Sequence, residues 1–447
     1  MTARRTLLLG GASALLGGCE TLTDLADRIL GTRKTPLPGE RRPVLAGVTE
    51  SLRVDPAAAR LPMVLPPPRV NDSWPQAGGQ ADHAPGHLAL PRPLREVWRT
   101  DIGTGMGFRH RMSAGPIVAA ETVFAMDAFG WVSALDAGRG SRRWQIDTRP
   151  RQERDGALGG GIAFDQGVLY VVTGLREALA IEPADGRIRW RAPLPAPARG
   201  GLAVAEGRLF VATIDNQVLC LSAEDGQRLW AFRGPETTTL PFGLAAPAVA
   251  EGMVVAGLPS GEVTALRVSD GRQLWLESVG AARIVAASIA EMGAVAAKPV
   301  VDRGRVFAVG MGGSTISLDL RSGRRVWERP VGGFQPVASA GDWVFVCGRD
   351  GQVAAIMREE GRVRWITELP LYTDPARRRG LITWGPPTLA GGRLILAGSH
   401  GGLVELEADS GEIASESRMP GGAQLQPAVA NNTLYYLADN GTVVALR

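Results

Sequence analysis

The strongest constraint on the fold is a turn glycine followed four positions later by tryptophan, a pair that recurs along most of the chain. The copies are Gly140…Trp144, Gly186…Trp190, Gly226…Trp230, Gly271…Trp275, Gly323…Trp327 and Gly361…Trp365. A seventh copy, Gly411…Ser415, has lost its tryptophan, and Trp98 begins the series without a preceding turn glycine. Adjacent members lie 38 to 52 residues apart, the extremes being Trp327 to Trp365 and Trp275 to Trp327. That spacing is typical of one blade of a β-propeller.

Each repeat divides into four short apolar segments separated by turn residues. The third copy shows this best, because Glu206-Gly207, Asp215-Asn216 and Asp225-Gly226 separate its segments. Such pairs tolerate the positive φ that tight hairpins require, and short apolar runs between them fit strands buried on both faces. The sequence therefore predicts an all-β chain in which each repeat forms a four-stranded antiparallel blade.

The number of segments predicts how the ring closes. Eight sets of three strands begin near Gly115, Ile162, Leu202, Ala245, Lys298, Gln335, Gly385 and Gln426. The last set lacks a fourth strand, whereas Arg95-Glu96-Val97-Trp98 is a strand without a set. We therefore predict an eight-bladed β-propeller over residues 91–447, with the N-terminal strand completing the last blade. Ring closure removes the unpaired edges of an open array.

The tryptophans belong to the outermost strands, where an indole can pack between two adjacent blades and bury roughly 150–250 Å². We predict this structural role in blade docking for Trp98, Trp144, Trp190, Trp230, Trp275, Trp327 and Trp365. Ser415 then marks the weakest seam between blades. On this interpretation, Ser415→Trp is expected to raise the melting temperature.

The first residues have the pattern of an export signal. Two arginines precede an apolar stretch from Thr6 to Leu16, which is too short to span a bilayer. The stretch ends in Leu16-Gly17-Gly18-Cys19, which is similar to the bacterial lipobox, whose cysteine receives a diacylglycerol and becomes the new N-terminus. We predict a lipoprotein signal peptide over residues 1–18 and lipid attachment at Cys19, and Glu20 favours the outer membrane. Both the Sec and the twin-arginine export routes stay open.

Residues 19–90 differ from the repeats because they are rich in proline, for example at Pro66-Pro67-Pro68. Proline at this density disfavours helices and sheet ladders and favours an extended chain. We predict a tether to about residue 70, followed by a strap packed on the propeller from Trp74 to Leu90.

Composition and motifs argue against several classes of function. The 49 basic and 45 acidic residues give a formal charge of +4 without a long run of like charges, so a nucleic-acid partner is not expected. His83 and His87 have i, i+4 spacing but lie in sequence rich in proline and glycine, where a helical metal site is not expected. Cys220 and Cys347 fall in distant repeats, so we predict two small buried residues rather than a disulfide.

The repeat itself resembles a known family. Gly130-Trp131-Val132-Ser133-Ala134-Leu135-Asp136 with Trp144 is similar to the pyrroloquinoline-quinone (PQQ) enzyme repeat, which quinoprotein dehydrogenases share with the BamB family of outer-membrane assembly lipoproteins. The segments Trp74–Leu90, Trp98–Gly107 and Leu381–Pro386 resemble the BamB family. The dehydrogenases typically carry adjacent cysteines, an acidic calcium cage and a catalytic aspartate, which this sequence does not display. We therefore expect no catalysis and no cofactor, PQQ included.

The resemblance to the BamB family implies a non-catalytic, lipid-anchored scaffold on the periplasmic face of the outer membrane. Such a scaffold binds BamA and other subunits of the β-barrel assembly machinery and aids the assembly of unfolded outer-membrane proteins. In the family, the loops entering blades four and five are implicated in binding BamA, and they correspond here to about residues 236–246 and 284–298.

The polar residues familiar in those two loops are not apparent in this chain. Apolar anchors at Leu240, Phe242 or Met292 would suit an interface core, and ordinary packing between blades is the alternative for them. Two other functions stay open: a periplasmic propeller that binds a peptide or small ligand in its central channel, and a structural role at the cell wall.

Overall fold

The computed structural model describes residues 52–107, 110–153, 159–237, 241–279 and 294–447. These residues form one short helix, α1 (Pro56–Arg60), and 34 strands. No helix among them is long and apolar enough to cross a bilayer. Eight four-stranded antiparallel sheets form the blades of a propeller, and the predicted fold is confirmed.

The first four blades contain sixteen consecutive strands. Blade 1 comprises β2 (Ile117–Ala119), β3 (Thr122–Met126), β4 (Trp131–Asp136) and β5 (Arg142–Asp147). Blade 2 comprises β6 (Gly160–Asp165), β7 (Val168–Thr173), β8 (Glu177–Ile181) and β9 (Ile188–Pro193). Blade 3 comprises β10 (Ala198–Ala205), β11 (Arg208–Thr213), β12 (Gln217–Ser222) and β13 (Arg228–Arg233). Blade 4 comprises β14 (Ala248–Ala250), β15 (Met253–Gly257), β16 (Glu262–Arg267) and β17 (Gln273–Ser278).

The remaining blades contain one extra hairpin and the closing strand. Blade 5 comprises β18 (Val300–Asp302), β19 (Arg305–Val309), β20 (Thr315–Asp319) and β21 (Arg325–Arg329). Blade 6 comprises β22 (Ala338–Ala340), β23 (Trp343–Cys347), β24 (Gln352–Met357) and β25 (Val363–Glu368), and the hairpin β26 (Tyr372–Asp374) with β27 (Arg379–Leu381) follows it. Blade 7 comprises β28 (Thr388–Ala390), β29 (Arg393–Ala397), β30 (Gly402–Glu407) and β31 (Ile413–Arg418). Blade 8 comprises β32 (Ala428–Ala430), β33 (Thr433–Leu437), β34 (Thr442–Leu446) and β1 (Glu96–Asp101).

The N-terminal strand closes the ring as predicted. β1 pairs antiparallel with β34, and Trp98 faces Ala445 in the ladder. Just beyond the ladder, the main chains of Arg95 and Arg447 exchange two hydrogen bonds of 2.8 Å. Blade 8 is thus built from both ends of the repeat region, and every blade has four strands.

The outermost strand of a blade is more exposed than the strands inside it. In β7 and β15 every residue is buried, whereas the outermost strand β13 buries only Trp230 fully. Apolar side chains of neighbouring blades pack together, for example Ala163 and Val172 of blade 2 with Leu202 and Leu219 of blade 3. The hydrophobic core therefore lies mainly in the seams between blades, as expected for a repeat architecture.

The antiparallel order gives the propeller two different faces. Within each blade, the turns from the first to the second strand and from the third to the fourth lie at one end. The turns from the second to the third strand and the loops between blades lie at the other end. We call the second end the loop face and the first end the strap face, because residues 52–94, here called the strap, contact it.

The strap begins earlier than the sequence indicated. The segment up to about residue 70 was expected to be a tether, yet the Asp55 main-chain N–H donates to the carbonyl of Val363 in blade 6 at 2.8 Å. The Arg364 side chain donates to the carbonyls of Ala58, at 3.2 Å, and Leu61. Helix α1 therefore lies against the outer strand of blade 6, although its sequence is short and proline-flanked.

Candidate binding surfaces of the propeller

The predicted docking tryptophans occupy seven seams of the ring, and each indole Nε1–H donates to a main-chain carbonyl of the next blade at 2.7 to 3.3 Å. The pairs are Trp98 with Ala137, Trp144 with Pro183, Trp190 with Ala223, Trp230 with Val268, Trp275 with Leu320, Trp327 with Arg358 and Trp365 with Ala408. An indole N–H that loses water on burial needs such an acceptor. Each tryptophan is therefore held by its neighbouring blade as well as by its own.

The repeated glycine makes room for that indole. A Cβ placed on Gly323 would lie 2.6 Å from Cγ of Trp275, and Gly361 stands in the same relation to Trp327. Both glycines also have φ near +70°, a conformation that glycine adopts readily. The glycine of each copy thus receives the tryptophan of the preceding blade, whereas its own tryptophan packs against the following blade.

The seam between blades 7 and 8, here called the closing seam, is built differently. Ser415 stands at the tryptophan position, and its hydroxyl donates to Glu405 at 2.8 Å. Glu405 forms a buried ion pair with Arg393, whose guanidinium also donates to the Pro91 carbonyl of the strap at 2.6 Å. Blade 8 has no turn glycine here, because its fourth strand does not follow from its third. Ser415 is therefore part of a polar seam, and from this structure we expect Ser415→Trp to lower the melting temperature, opposite to the expectation from the sequence.

The strap also closes the central channel on its own face. Each innermost strand has one edge directed toward the channel, and strap residues 71–88 hydrogen-bond to that edge in seven blades. The bonded residues of the innermost strands are Val118, Phe164, Val204, Val249, Val301, Leu389 and Val429, in blades 1, 2, 3, 4, 5, 7 and 8. The strap therefore satisfies main-chain groups that a propeller would otherwise leave to solvent.

Two glycines let the strap fold tightly inside the channel mouth. A Cβ on Gly79 would lie 2.8 Å from the Trp74 ring, and one on Gly78 would lie 2.7 Å from His83. Burial lowers the pKa of His83 to about 3 and that of the nearby Lys298 to about 8. The imidazole is therefore neutral, and its Nδ1 is 2.7 Å from the Pro299 carbonyl of blade 5. His83 thus attaches the strap to blade 5, and His87 Nε2 accepts from the main-chain N–H of Gly392 in blade 7 at 2.8 Å.

The predicted partner-binding residues concern the loop face, on the opposite side. Phe242 is 73% exposed in the loop that enters blade 4, while Leu244 at the base of this loop is buried and donates its main-chain N–H to Arg199 of blade 3 at 3.2 Å. Leu240, Met292 and the lipid-attachment residue Cys19 lie outside the described residues. Among the three predicted anchors, only Phe242 can be placed, and it is not packed between blades.

Two further exposed apolar side chains lie on the loop face, and sequence reasoning missed both. Phe334 lies in the loop that enters blade 6, and Leu381, at the end of the hairpin before blade 7, is 67% exposed. Next to Leu381, Arg378 lies over the Tyr372 ring at 5.6 Å. The sequence did contain a signal for Phe334, because this aromatic residue follows Gly332-Gly333 and belongs to no strand pattern. An aromatic residue in such a loop could have been predicted to be exposed.

The chemistry of the described residues does not fit a quinone cofactor. Cys220 and Cys347 are both free and buried, in blades 3 and 6, and burial raises the pKa of each thiol to about 12. Cys220 faces Trp230 across the hairpin, where it acts as a small core residue. Within the described ranges, no three His, Cys, Asp or Glu side chains are arranged to hold a metal ion. The adjacent cysteines and acidic cage expected of a quinoprotein site are thus not formed by these residues.

Residues 128–367 and 373–447 match the family model described as "Outer membrane protein assembly factor BamB". The chain belongs to the BamB family. The BamB of Salmonella typhimurium is 28% identical over 358 residues, covering 78% of this chain and 88% of the relative. The BamB of Xanthomonas campestris pv. campestris is 29% identical over 360 residues, covering 79% and 85%. Both relatives are named as outer membrane protein assembly factors.

Solved structures agree on the fold. BamB from Moraxella catarrhalis superposes with a TM-score of 0.66 at 21% identity, covering 79% of this chain and 99% of that one. The quinohemoprotein alcohol dehydrogenase from Comamonas testosteroni superposes with a TM-score of 0.64 at 12% identity, covering 84% and 80%. At these identities the structural similarity shows only that the fold is a propeller. The match to the family model places the chain with the BamB family and not with the dehydrogenases.

Proposed function

We propose that this chain is a non-catalytic scaffold of the β-barrel assembly machinery, which binds BamA through its loop face and aids the insertion of outer-membrane β-barrel proteins. Membership of the BamB family supports the assembly role. The choice of the loop face for binding rests on the difference between the two faces of the propeller. The strap hydrogen-bonds across the channel mouth on one face. Both faces expose apolar side chains, but those of the strap, such as Val64, are aliphatic, whereas the loop face exposes the aromatic residues Phe242 and Phe334.

The exposed side chains suit a protein partner. Aromatic residues are enriched at the cores of protein interfaces, and a few such anchors carry most of the binding free energy. The backbone near Phe242 is held in place, because Leu244 and Ala245 that follow it are buried. A preorganised anchor loses little conformational freedom when it binds, which favours Phe242 as the central contact.

The same proposal includes the membrane anchor and the absence of a cofactor. Residues 1–18 act as a lipoprotein signal peptide, Cys19 carries the lipid, and the residues that follow tether the propeller to the periplasmic face of the outer membrane. Two acyl chains anchor a protein stably where one does not. The proposal includes that no PQQ is bound, because the cysteines and acidic residues of the described part of the chain are not brought together as such a site requires.

Co-purification from the native membrane tests the proposal. The full-length lipoprotein is solubilised in detergent and captured, and mass spectrometry identifies the proteins that accompany it. We expect BamA and its companion subunits with the natural chain, and a loss of BamA of about tenfold or more with Phe242→Ser, which corresponds to about 1.4 kcal/mol of binding. Val64→Ser is the matched control, because Val64 is 74% exposed on the strap face.

Each outcome has a distinct meaning. Loss of BamA with Phe242→Ser but not with Val64→Ser supports binding through the loop face. Retention of BamA by Phe242→Ser contradicts the role of this side chain, and equal loss with both variants contradicts the choice of face. If the natural chain is captured with its lipid intact and without BamA, the assembly role itself is contradicted.

A further inference from the structure

The contact between the strap and the innermost strands is interrupted at one blade. His83 bonds to blade 5 and Leu88 to blade 7, and between them the strap turns at Pro85 and Gly86. The residue of blade 6 that corresponds to the bonded residues elsewhere is Ser339, which faces Val344 as Val118 faces Val123 in blade 1. In the other seven blades the main chain of the innermost strand bonds to a main-chain or side-chain group of the strap. Among the described residues, blade 6 is the one blade whose innermost strand has no such bond.

A small cavity remains at this gap. The strap contributes Trp74, His83, Pro85, Gly86 and Leu88 to its wall, and blades 6 and 7 contribute Ser339 and Thr388 among others. The volume open to the centre of a water molecule is about 20 Å³. A cavity needs roughly 10–15 Å³ by this measure to hold one water, so the gap has room for one or two waters and is too small for a peptide.

Polar atoms without partners surround this cavity. They are His83 Nε2, Ser339 Oγ, Thr388 Oγ1 and Gln426 Oε1, and none has a hydrogen-bond partner within the described residues. The side chains of His83, Ser339 and Thr388 are all more than nine-tenths buried. Buried polar groups in native proteins almost always have a partner, and four of them around one cavity indicate a shared ligand.

The donor and acceptor roles define the chemistry of that ligand. His83 directs Nδ1 at the Pro299 carbonyl, 2.7 Å away, so Nδ1 carries the proton and the neutral ring presents Nε2 as an acceptor. Gln426 Oε1 is also an acceptor, and the two hydroxyls can donate or accept. The ligand must therefore donate at least two hydrogen bonds. An anion would bring only acceptors to these acceptors, whereas water supplies two donors and two acceptors.

We propose that the gap between the strap and blade 6 is a hydration site, in which one or two ordered water molecules bridge His83, Ser339, Thr388 and Gln426. The water replaces the direct hydrogen bond that the strap makes with the other innermost strands. The inference is independent of the proposed function, since it concerns how the strap is fastened to the ring.

A crystal structure of the natural chain at high resolution tests the site directly. We expect a water peak within hydrogen-bond distance of His83 Nε2 that also lies within reach of Ser339 Oγ or Gln426 Oε1. An empty cavity, or density that fits a larger bound molecule, would overturn the proposal.

A pair of substitutions gives an independent test in solution. Ser339→Val fills the cavity, and valine is compatible with the strand because Val118, Val204, Val249, Val301 and Val429 hold the corresponding position in five other blades. If water is bound, Ser339→Val displaces it, leaves His83 Nε2 without a donor, and lowers the melting temperature more than Ser339→Ala does. If the cavity is dry, Ser339→Val fills apolar space and raises the melting temperature, which contradicts the proposal. Should Ser339→Val fail to fold, the crystallographic test still decides.

Discussion

Seven seams of the propeller contain a tryptophan and the closing seam does not, and the comparison shows what the repeated motif is for. In a regular seam, Trp275 of blade 4 packs under Gly323 of blade 5 and donates to Leu320 of the same turn. The motif is therefore a unit shared by two blades. Blade 8 has no turn between its third and fourth strands, so a tryptophan in place of Ser415 would have no glycine to receive it.

The regular seams and the closing seam also differ in the residue that lies opposite the tryptophan position on the adjacent strand. On the adjacent strand, the seven tryptophans face small side chains, which are Ala445, Ala134, Ala180, Cys220, Ala265, Ser317 and Ala355. Ser415 instead faces Glu405, which pairs with Arg393 beneath the strap. Apolar residues pack in the closing seam too, for example Ile395 of blade 7 with Val429 of blade 8. The difference lies at the outer strand, where the regular seams have a tryptophan and the closing seam has a buried ion pair that also bonds to the strap.

The largest effect is expected from breaking that ion pair on one side only. Arg393→Met leaves Glu405 buried without its cation and also removes the bond to the Pro91 carbonyl. Removing one partner of a buried pair costs about 3–5 kcal/mol, so the denaturant midpoint should fall sharply. Arg393→Met combined with Glu405→Met removes both charges and should recover most of the loss. Equal destabilisation by the single and double variants would contradict this account of the closing seam.

A tryptophan introduced at the closing seam should destabilise the protein. Ser415→Trp must displace the carboxylate of Glu405, and it finds no turn glycine in blade 8. Overpacking of this kind typically costs about 1–3 kcal/mol, which a thermal melt can measure. A raised melting temperature would restore the expectation drawn from the repeat alone, namely that this seam lacks only its tryptophan.

Two glycines of one blade can show whether the turn glycine is needed to leave space for the tryptophan or only to adopt positive φ. Gly323 and Gly304 both belong to blade 5 and have φ of +70° and +73°, but only Gly323 lies against a tryptophan, because nothing lies within 4 Å of a Cβ on Gly304. Alanine at either position incurs the strain of positive φ. Gly323→Ala should cost about 1–2 kcal/mol more than Gly304→Ala. Equal costs would show that the glycine serves the turn alone.

The smallest effect is expected at the surface of the closing seam. Arg92 of the strap pairs with Glu407 at 2.6 Å, and the arginine side chain is 47% exposed. Exposed ion pairs contribute about 0–1 kcal/mol and are screened by salt. Arg92→Ala should therefore shift the melting temperature slightly at low salt and hardly at all in 1 M salt. A loss as large as that of Arg393→Met would mean that the strap, rather than the buried pair, holds the seam.

The sequence predicted the ring well because its signals are local. Turn pairs such as Asp225-Gly226 mark hairpins within a few residues, and the count of segments required Trp98 and its strand to complete blade 8. The buried pair was not predicted, because Arg393 and Glu405 are charged residues in ordinary strand positions, and burial is not visible in such a pattern. Their burial depends on the strap, which is remote in sequence.

The strap and the loop face were harder to predict for the same reason. The strap bonds to the innermost strands through main-chain atoms of residues such as Pro75, Ala81 and Asp82, and main-chain groups leave no side-chain signal. On the loop face, Phe242 could be named from its loop, but the exposure of Leu381 depends on the hairpin that carries it. Contacts between distant segments are set by the assembled ring and not by a local pattern.

Hydrogen–deuterium exchange of the full-length lipoprotein, alone and with BamA, tests most directly the claim that the two faces have different roles. We expect slower exchange on binding in segments of the loop face, around residues 241–247, 331–337 and 379–387, and unchanged exchange in the strap at residues 52–94. Slower exchange in the strap with no change on the loop face would contradict the account, because it would place the partner on the face that the strap already covers.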